Sequence, residues 1–233
     1  MKNIFKKIYY NKYTKTSYSI SGVDLIIDRM FSKMKKGIYI DLGCNHPIKH
    51  NNTYLLYNRG WEGINIDADK KSIIEFNNLR KNDYNISALV SSKKNKIKYY
   101  FYHERSALNT VDSKLVKKRK AKPKKIIVRE TTTLNDIIEN SPYKKSKFNL
   151  LSIDIENHEY EALKNFKFKK YNIDCIVIEI LNTSKQKIET QNQNLDFILK
   201  SNVFKLLKKN DYKFRFLYCW RRYCWTRNSM AVG

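Results

Sequence analysis

Helical and strand-like hydrophobic periods alternate along most of the chain. Val23, Ile26, Ile27, Met30, Phe31 and Met34 recur at helical spacing, and Gly37 follows as a stop. The apolar triplet Ile38-Tyr39-Ile40 then predicts a short strand that runs out in Asp41-Leu42-Gly43. A turn region with Pro47 and Asn51-Asn52-Thr53 leads into a short helix through Tyr54, Leu55 and Leu56, closed by Gly60. Gly63-Ile64-Asn65-Ile66 predicts the next strand, ending at Asp67. Residues 72–79 read as a helix, 85–90 as a third strand and 97–102 as a fourth extended piece. Residues 103–125 carry no period and are expected to form a long loop or insertion. Beyond them, 126–128 reads as extended, and Thr133 is placed to cap a helix over 134–139. A buried strand is expected over 148–155, a helix over 158–166 and an apolar strand over 173–180. Residues 195–199 read as helical. Residues 204–207 and 213–218 suggest a terminal hairpin turning at Asn210-Asp211.

Helices lying between apolar strands imply crossovers and a parallel sheet. The expected fold class is therefore α/β, a mostly parallel sheet closed by a terminal antiparallel hairpin. The expected organisation is a basic segment and helix over 1–35, one catalytic-sized domain over 36–218, and an aromatic and basic tail over 219–233. In such a sheet a ligand sits at the carboxyl ends of the strands.

Composition narrows the class. Hydrophobic residues make up 42% of the 233 residues and aromatics 13%, which excludes a disordered chain. No apolar run is long enough to span a bilayer, and the basic N-terminus has no apolar core behind it, so the expected location is cytoplasmic. The formal net charge is +25. It reads either as a match to an anionic partner (nucleic acid, lipid headgroups, an acidic glycan) or as a composition over-using Lys, Asn, Ile and Tyr together. Weak nonspecific contact with anions or a membrane surface stays open on this basis. Cys44, Cys175, Cys219 and Cys224 lack the spacing of a zinc site or disulfide framework. Cys44, His46 and His50 sit in a loop better explained otherwise, so no metal is expected.

The strand ends carry the chemistry. Asp41, Asp67, Asp154 and Glu179 each close an apolar run. Gly43 lets a ligand approach the backbone closely. Asp67, one helix further on, stands where dinucleotide folds hold ribose hydroxyls. Gly43 is followed by Cys44, Asn45, His46 and Pro47, without the second and third glycines of a pyrophosphate cradle. A nucleoside with a charged amino-acid end, S-adenosylmethionine, suits this loop better than a dinucleotide.

Three ordered blocks resemble the FkbM family of methyltransferases: Tyr39-Ile40-Asp41-Leu42-Gly43-Cys44-Asn45-His46-Pro47 continuing through Asn52-Thr53-Tyr54 to Arg59-Gly60-Trp61-Glu62-Gly63-Ile64-Asn65-Ile66-Asp67; Thr132-Thr133-Leu134-Asn135-Asp136; and Ile153-Asp154-Ile155-Glu156-Asn157-His158-Glu159. The resemblance covers roughly residues 36–181. It implies a Rossmann-like class I methyltransferase fold, S-adenosylmethionine as donor and usually an oxygen acceptor. It further implies that Asp41, Gly43 and Asn45 line the methionine end, Asp67 holds the ribose, and Asn85, Ser87 and Ala88 border the adenine. Pro47 stands where many members have Gly, and Asn157 replaces the Gly of the Asp-x-Glu-Gly segment. Asn tolerates a left-handed backbone, so the latter turn can survive.

The catalytic candidates cluster at the third block. Asp154 is either a base or orienting group for the acceptor, or a cap for the following helix. Glu156 and Glu159 are expected in the first turn of that helix, where pairing with its dipole is the alternative. His158 titrates in the right range for a base, although a lone His is more often structural; His103 is a weaker candidate. The leading function is O-methylation of a hydroxyl on a glycan or small metabolite. The alternatives are an RNA methyltransferase, and a non-catalytic binding protein of the same fold. The cluster Tyr218-Cys219-Trp220-Arg221-Arg222-Tyr223-Cys224-Trp225 suits either stacking on sugars and bases, or an edge strand packed on the domain.

Overall fold

A computed structural model describes residues 14–181, 201–215 and 222–227. Its frame is a seven-stranded sheet built from β1 (Ile38–Leu42), β2 (Glu62–Asp67), β3 (Tyr84–Ser87), β7 (Leu150–Ile153), β8 (Cys175–Glu179), β9 (Tyr212–Arg215) and β10 (Arg222–Arg227). The order across the sheet is β3-β2-β1-β7-β8-β10-β9. Every neighbouring pair among the first five is parallel. β10 runs antiparallel to both β8 and β9, so it alone is reversed. Strand order switches beside β1, which opens a crevice at the carboxyl ends of β1, β2 and β7. This is the Rossmann-like class I arrangement.

Alternation along the central strands explains why both faces of the sheet are covered. Ile40, Leu42, Leu151, Ile153, Ile176 and Ile178 point into one core cluster. Tyr39, Leu150, Cys175 and Val177 point into the other, against Val23, Ile27 and Phe31 of and beside α1 (Val23–Met30) and against Leu56 of α2 (Tyr54–Asn58). Strands buried on both sides read as continuous apolar runs, as these do. Helix starts are fixed by short polar side chains. Asp69 accepts from the Lys71 amide at α3 (Lys70–Leu79), and Thr133 from the Asp136 amide at α5 (Leu134–Glu139).

A second, three-stranded sheet has the order β4-β6-β5. Its members are β4 (Leu89–Val90), β5 (Lys96–Phe101) and β6 (Lys125–Thr132). The single strand expected over 85–90 is thus two strands in different sheets, divided at Ala88. The expected loop over 103–125 contains α4 (Ser113–Lys118), started by Asp112, whose carboxylate accepts from the Lys114 amide at 2.7 Å.

The C-terminal expectation needs correction. Residues 204–207 belong to α8 (Asn202–Lys209), capped by Ser201, not to a hairpin strand. The antiparallel hairpin exists, but it joins β9 to β10, with Asn210-Asp211 leading from α8 into β9 instead of forming its turn. Part of the segment expected as a tail, 222–227, therefore lies inside the main sheet. The helix expected over 195–199 falls outside the described residues. Between β7 and β8 lie α6 (Glu159–Leu163) and α7 (Phe168–Tyr171). Among the described residues no helix is long and apolar enough to cross a membrane.

Candidate active site

A cavity of about 690 Å³ opens at the carboxyl ends of β1, β2 and β7. Sites for small organic molecules run to roughly 300–1,000 Å³. The segment 103–111 and Tyr99 of β5 close it from above.

The loop after β1 forms its floor. Gly43 has φ 83°, and a Cβ there would lie 1.9 Å from the carbonyl oxygen of Asp154. Any side chain would push β1 and β7 apart, so glycine is required by both backbone and packing. The Gly43 amide donates to the Ile66 carbonyl at 2.8 Å, tying the loop to β2. Asn45, at φ 52°, donates its amide to Asp67 Oδ2 at 2.9 Å, while the Asp69 amide donates to Asp67 Oδ1 at 2.7 Å. Burial pushes the Asp67 carboxyl up to about 6, against the pull of these two amides. Each oxygen keeps a lone pair for a further donor.

Behind the floor lies a buried polar network that the sequence does not announce. The Arg80 side chain, fully buried after α3, donates from Nε to Asp83 at 2.9 Å and from its terminal nitrogens to Tyr39 Oη, Asn51 Oδ1 (3.1 Å) and Thr53 Oγ1 (2.9 Å). Asp83 also accepts from the Gly63 amide and Asn65 Nδ2. Asp41 Oδ2 accepts from Asn51 Nδ2 at 3.1 Å and Thr53 Oγ1 at 2.9 Å. Burial raises the Asp41 carboxyl, opposed by the Arg80 charge and these hydrogen bonds. Arg80 thus locks the returning half of the loop, residues 47–53, onto the strand carrying Asp41.

Among the described residues, two buried side chains lining the cavity hold polar atoms without a partner: Asn52 Oδ1 and Ser72 Oγ. Asn52 is 4% exposed, and its Nδ2 donates to Ser152 Oγ at 3.0 Å. Ser72 is 1% exposed, on the first turn of α3. An orphaned buried polar atom is costly unless a ligand satisfies it.

The front of the cavity is the turn after β7. Glu156 (φ 55°) and Asn157 (φ 75°) both take the left-handed conformation. The helix therefore begins only at Glu159, with His158 in the capping position. Asn157 takes the conformation expected of the glycine it replaces. Glu156 lies before the first turn, not in it. Its carboxylate pairs with Arg119, and its carbonyl accepts from Thr110 Oγ1 at 2.9 Å. Asn157 donates to Asp112. Asp154, Glu156 and His158 all line the cavity. His158 Nε2 lies 3.1 Å from Ser91 Oγ, and burial lowers its pKa, so the imidazole is neutral at physiological pH.

Several expected site residues lie elsewhere. Glu159 does not line the cavity: its carboxylate turns back to accept from the Ile155 and Asn157 amides and so builds the turn. Burial pushes its carboxyl up to about 8. Asn85 and Ser87 also lie outside; Asn85 spans Asn65 and the Arg80 carbonyl instead. Ala88 lines the wall with Leu89 and Val90. His46 Nδ1 accepts from the Ile48 and Lys49 amides, bracing the loop that holds Pro47. His103 lines the roof. The carboxylates of Asp154, Glu156 and Glu179 come within 4.8 Å of one another, with Arg119 against Glu156.

The methyltransferase FkbM domain matches residues 41–214, from Asp41 of the cavity floor to Phe214 on β9. The chain belongs to the FkbM methyltransferase family. Membership makes the protein a methyltransferase, and it spans both the floor and the turn after β7. A TehB-like SAM-dependent methyltransferase from Corynebacterium glutamicum ATCC 13032 Kitasato is similar in structure at a TM-score of 0.44 and 10% identity, over 97% of each chain. No curated protein matches the chain in sequence.

Proposed function

We propose that this FkbM chain binds S-adenosylmethionine in the cavity and methylates a hydroxyl oxygen of a glycan or small metabolite. The observation that carries the reading is the convergence of the Gly43–Asn45 loop, Asp67 and Asp154 on one cavity that also holds two orphaned buried polar atoms. In this reading Asp67 receives ribose hydroxyls, and Asn52 Oδ1, beside Asp41, receives the ammonium of the methionine end. Ala88, Leu89 and Val90 provide the apolar wall for the adenine.

The cofactor, when bound, supplies a methyl group already activated on a sulfonium. The chain's own residues have to orient the acceptor, exclude water and accept a proton from the acceptor hydroxyl. Asp154, directly after β7 with its backbone carbonyl against Gly43, is the first proton acceptor in this reading, and neutral His158, which also lines the cavity, is the second. Ser106, Asn109 and Thr110 in the roof and Glu156 in the turn are hydrogen-bonding groups of the kind that receive sugar hydroxyls. Among the described residues that line the cavity Tyr99 is the one Phe, Tyr or Trp, and it is held against Arg129, 5.3 Å from its ring centroid. A methyltransferase that turns out a nucleobase would gain from a second aromatic platform. This favours the hydroxyl acceptor over RNA.

Calorimetry and turnover test the reading together. Asn52→Leu should weaken S-adenosylmethionine roughly tenfold, the loss of one charge-assisted hydrogen bond. The same variant should leave 5′-methylthioadenosine, which lacks the amino-acid end, unaffected. Asp154→Asn should leave cofactor affinity in place and lower turnover on hydroxylated acceptors by roughly a hundredfold or more. A folded protein that binds no S-adenosylmethionine refutes the cofactor assignment. Binding without transfer to any hydroxyl acceptor supports a non-catalytic binding protein.

A further inference from the structure

The hairpin of β5 and β6 has two faces of different character. Pairing places Tyr99 opposite Ile127 and Ile97 opposite Arg129 on the inner face, where Tyr99 walls the cavity and Arg129 donates to the Ala68 carbonyl. The outer face pairs Lys98 with Val128 and Tyr100 with Ile126. Ile126 is 56% exposed and Val128 63%. A solvated strand face ordinarily carries polar residues at alternate positions, and β6 instead presents two β-branched aliphatics side by side. Lys98 flanks them on β5, while Lys96 at the end of the same face pairs with the exposed Glu130 at 3.8 Å. Seven of the nine residues from Lys117 to Lys125, which lead into β6, are Lys or Arg.

We infer that this outer face, with the basic run beside it, is a docking surface for an anionic lipid bilayer. Exposed aliphatic side chains bordered by Lys are the combination that an acidic headgroup layer rewards: the aliphatics enter the interface and the ammonium groups meet the phosphates. A nucleic-acid backbone would use the Lys residues but gain nothing from Ile126 and Val128. The one Arg in the run, Arg119, is turned inward to Glu156 and the Leu108 carbonyl. A second copy of the chain would bring two like-charged Lys runs together, which opposes self-association. Because the inner face of the same hairpin walls the cavity, docking would bring the cavity's roof to the membrane surface. This inference does not depend on the identity of the cofactor or acceptor.

Co-sedimentation of the whole chain with phosphatidylcholine–phosphatidylglycerol vesicles, against pure phosphatidylcholine vesicles, tests it. The wild type should bind the anionic vesicles and not the neutral ones. Ile126→Ser with Val128→Ser should weaken that binding roughly fivefold or more, and so should a Lys120→Gln, Lys122→Gln and Lys124→Gln variant. All these side chains are solvent-facing, and an unchanged melting temperature verifies that each variant is folded. Duplex RNA serves as the competing polyanion: it should respond to the Lys variant and not to the aliphatic one. No vesicle binding, or binding that ignores the aliphatic variant, overturns the inference, as does a concentration-dependent dimer abolished by the aliphatic variant.

Discussion

The back and the front of the cavity are held by different kinds of contact. At the back, Arg80 and Asp83 are fully buried, and between them they join five elements: the strands β1, β2 and β3, the end of α3 and the loop over 47–53. At the front, the roof over 103–111 is tied down near the surface. Arg105 pairs with Glu75, with side chains 45% and 33% exposed; the Arg119–Glu156 pair, at 10% and 19%, is mostly buried and reaches the roof only through the Leu108 carbonyl. A buried ion pair fixes geometry because neither charge tolerates losing the other, whereas exposed pairs contribute little. The floor is therefore built to keep one shape, and the roof is built so that it can be displaced. That division suits a site where one ligand is held by the backbone and another must enter from above.

Breaking the back should have the largest effect. Arg80→Met leaves the Asp83 charge buried without its counter-charge and removes one hydrogen-bond partner each from Asn51 and Thr53, which keep their bonds to Asp41. The expected loss is about 3–5 kcal/mol, read by denaturant unfolding. Adding Asp83→Asn, which removes the uncompensated charge while keeping an acceptor for the Gly63 amide, should recover part of that loss. If Arg80→Met melts with the wild type, the network is not what holds the floor, and the contrast between back and front fails.

A smaller effect, with a pH signature, is expected where front meets floor. Glu159 builds the turn carrying Glu156 and Asn157 with a carboxyl pushed up to about 8, chiefly by burial. Its folded pKa is above its unfolded one. The stability tied to the neutral form is thus complete below the ordinary carboxyl range and is lost as pH rises through about 8. Glu159→Gln keeps an acceptor for the two amides and removes the titration. Relative to this variant, the wild type should lose melting temperature between pH 5 and pH 9. A difference that stays flat with pH would mean the carboxyl is already ionised in the fold.

How far these features were legible follows from the same division. The floor's backbone was readable because apolar strands ending in Asp41, Asp67 and Asp154 are a local pattern, and Gly43 marks its turn in one residue. Arg80 was not, because between Leu79 and Lys81 it looks like any basic residue near a helix end; only the fold brings Tyr39, Asn51, Thr53 and Asp83 around it. The roof lacked a period because side-chain bonds from Asn109, Thr110 and Asp112 order it, in place of an apolar face. Glu156 was misplaced into the first turn of α6 because an Asp-x-Glu-Asn-His-Glu string reads as an acidic first turn. Two consecutive left-handed residues postpone the helix until Glu159. In the C-terminal part, Val203, Phe204, Leu206 and Leu207 fit helix or strand, and the decisive signal was the capping Ser201. Where β10 inserts between β8 and β9 is a matter of strand order, which sequence adjacency does not encode.

The smallest expected effect, and the sharpest test of the front, is Arg105→Gln. The substitution removes the exposed ion pair to Glu75 but leaves the Arg105 amide free to keep donating to Asp69 Oδ2. Stability should therefore change by less than about 1 kcal/mol, which for a domain of this size is a shift of a few degrees at most. Local opening is a different quantity. Without the guanidinium the roof keeps one anchor on the α3 side, and the amides of residues 103–111 should exchange with solvent faster than in the wild type while those of β1 and β7 do not change. The change should also raise KM for the acceptor more than it lowers kcat, because the floor that would hold the cofactor is untouched. A loss of several kcal/mol, or faster exchange in β1 and β7, would show that the roof is as firmly built into the fold as the Arg80 network.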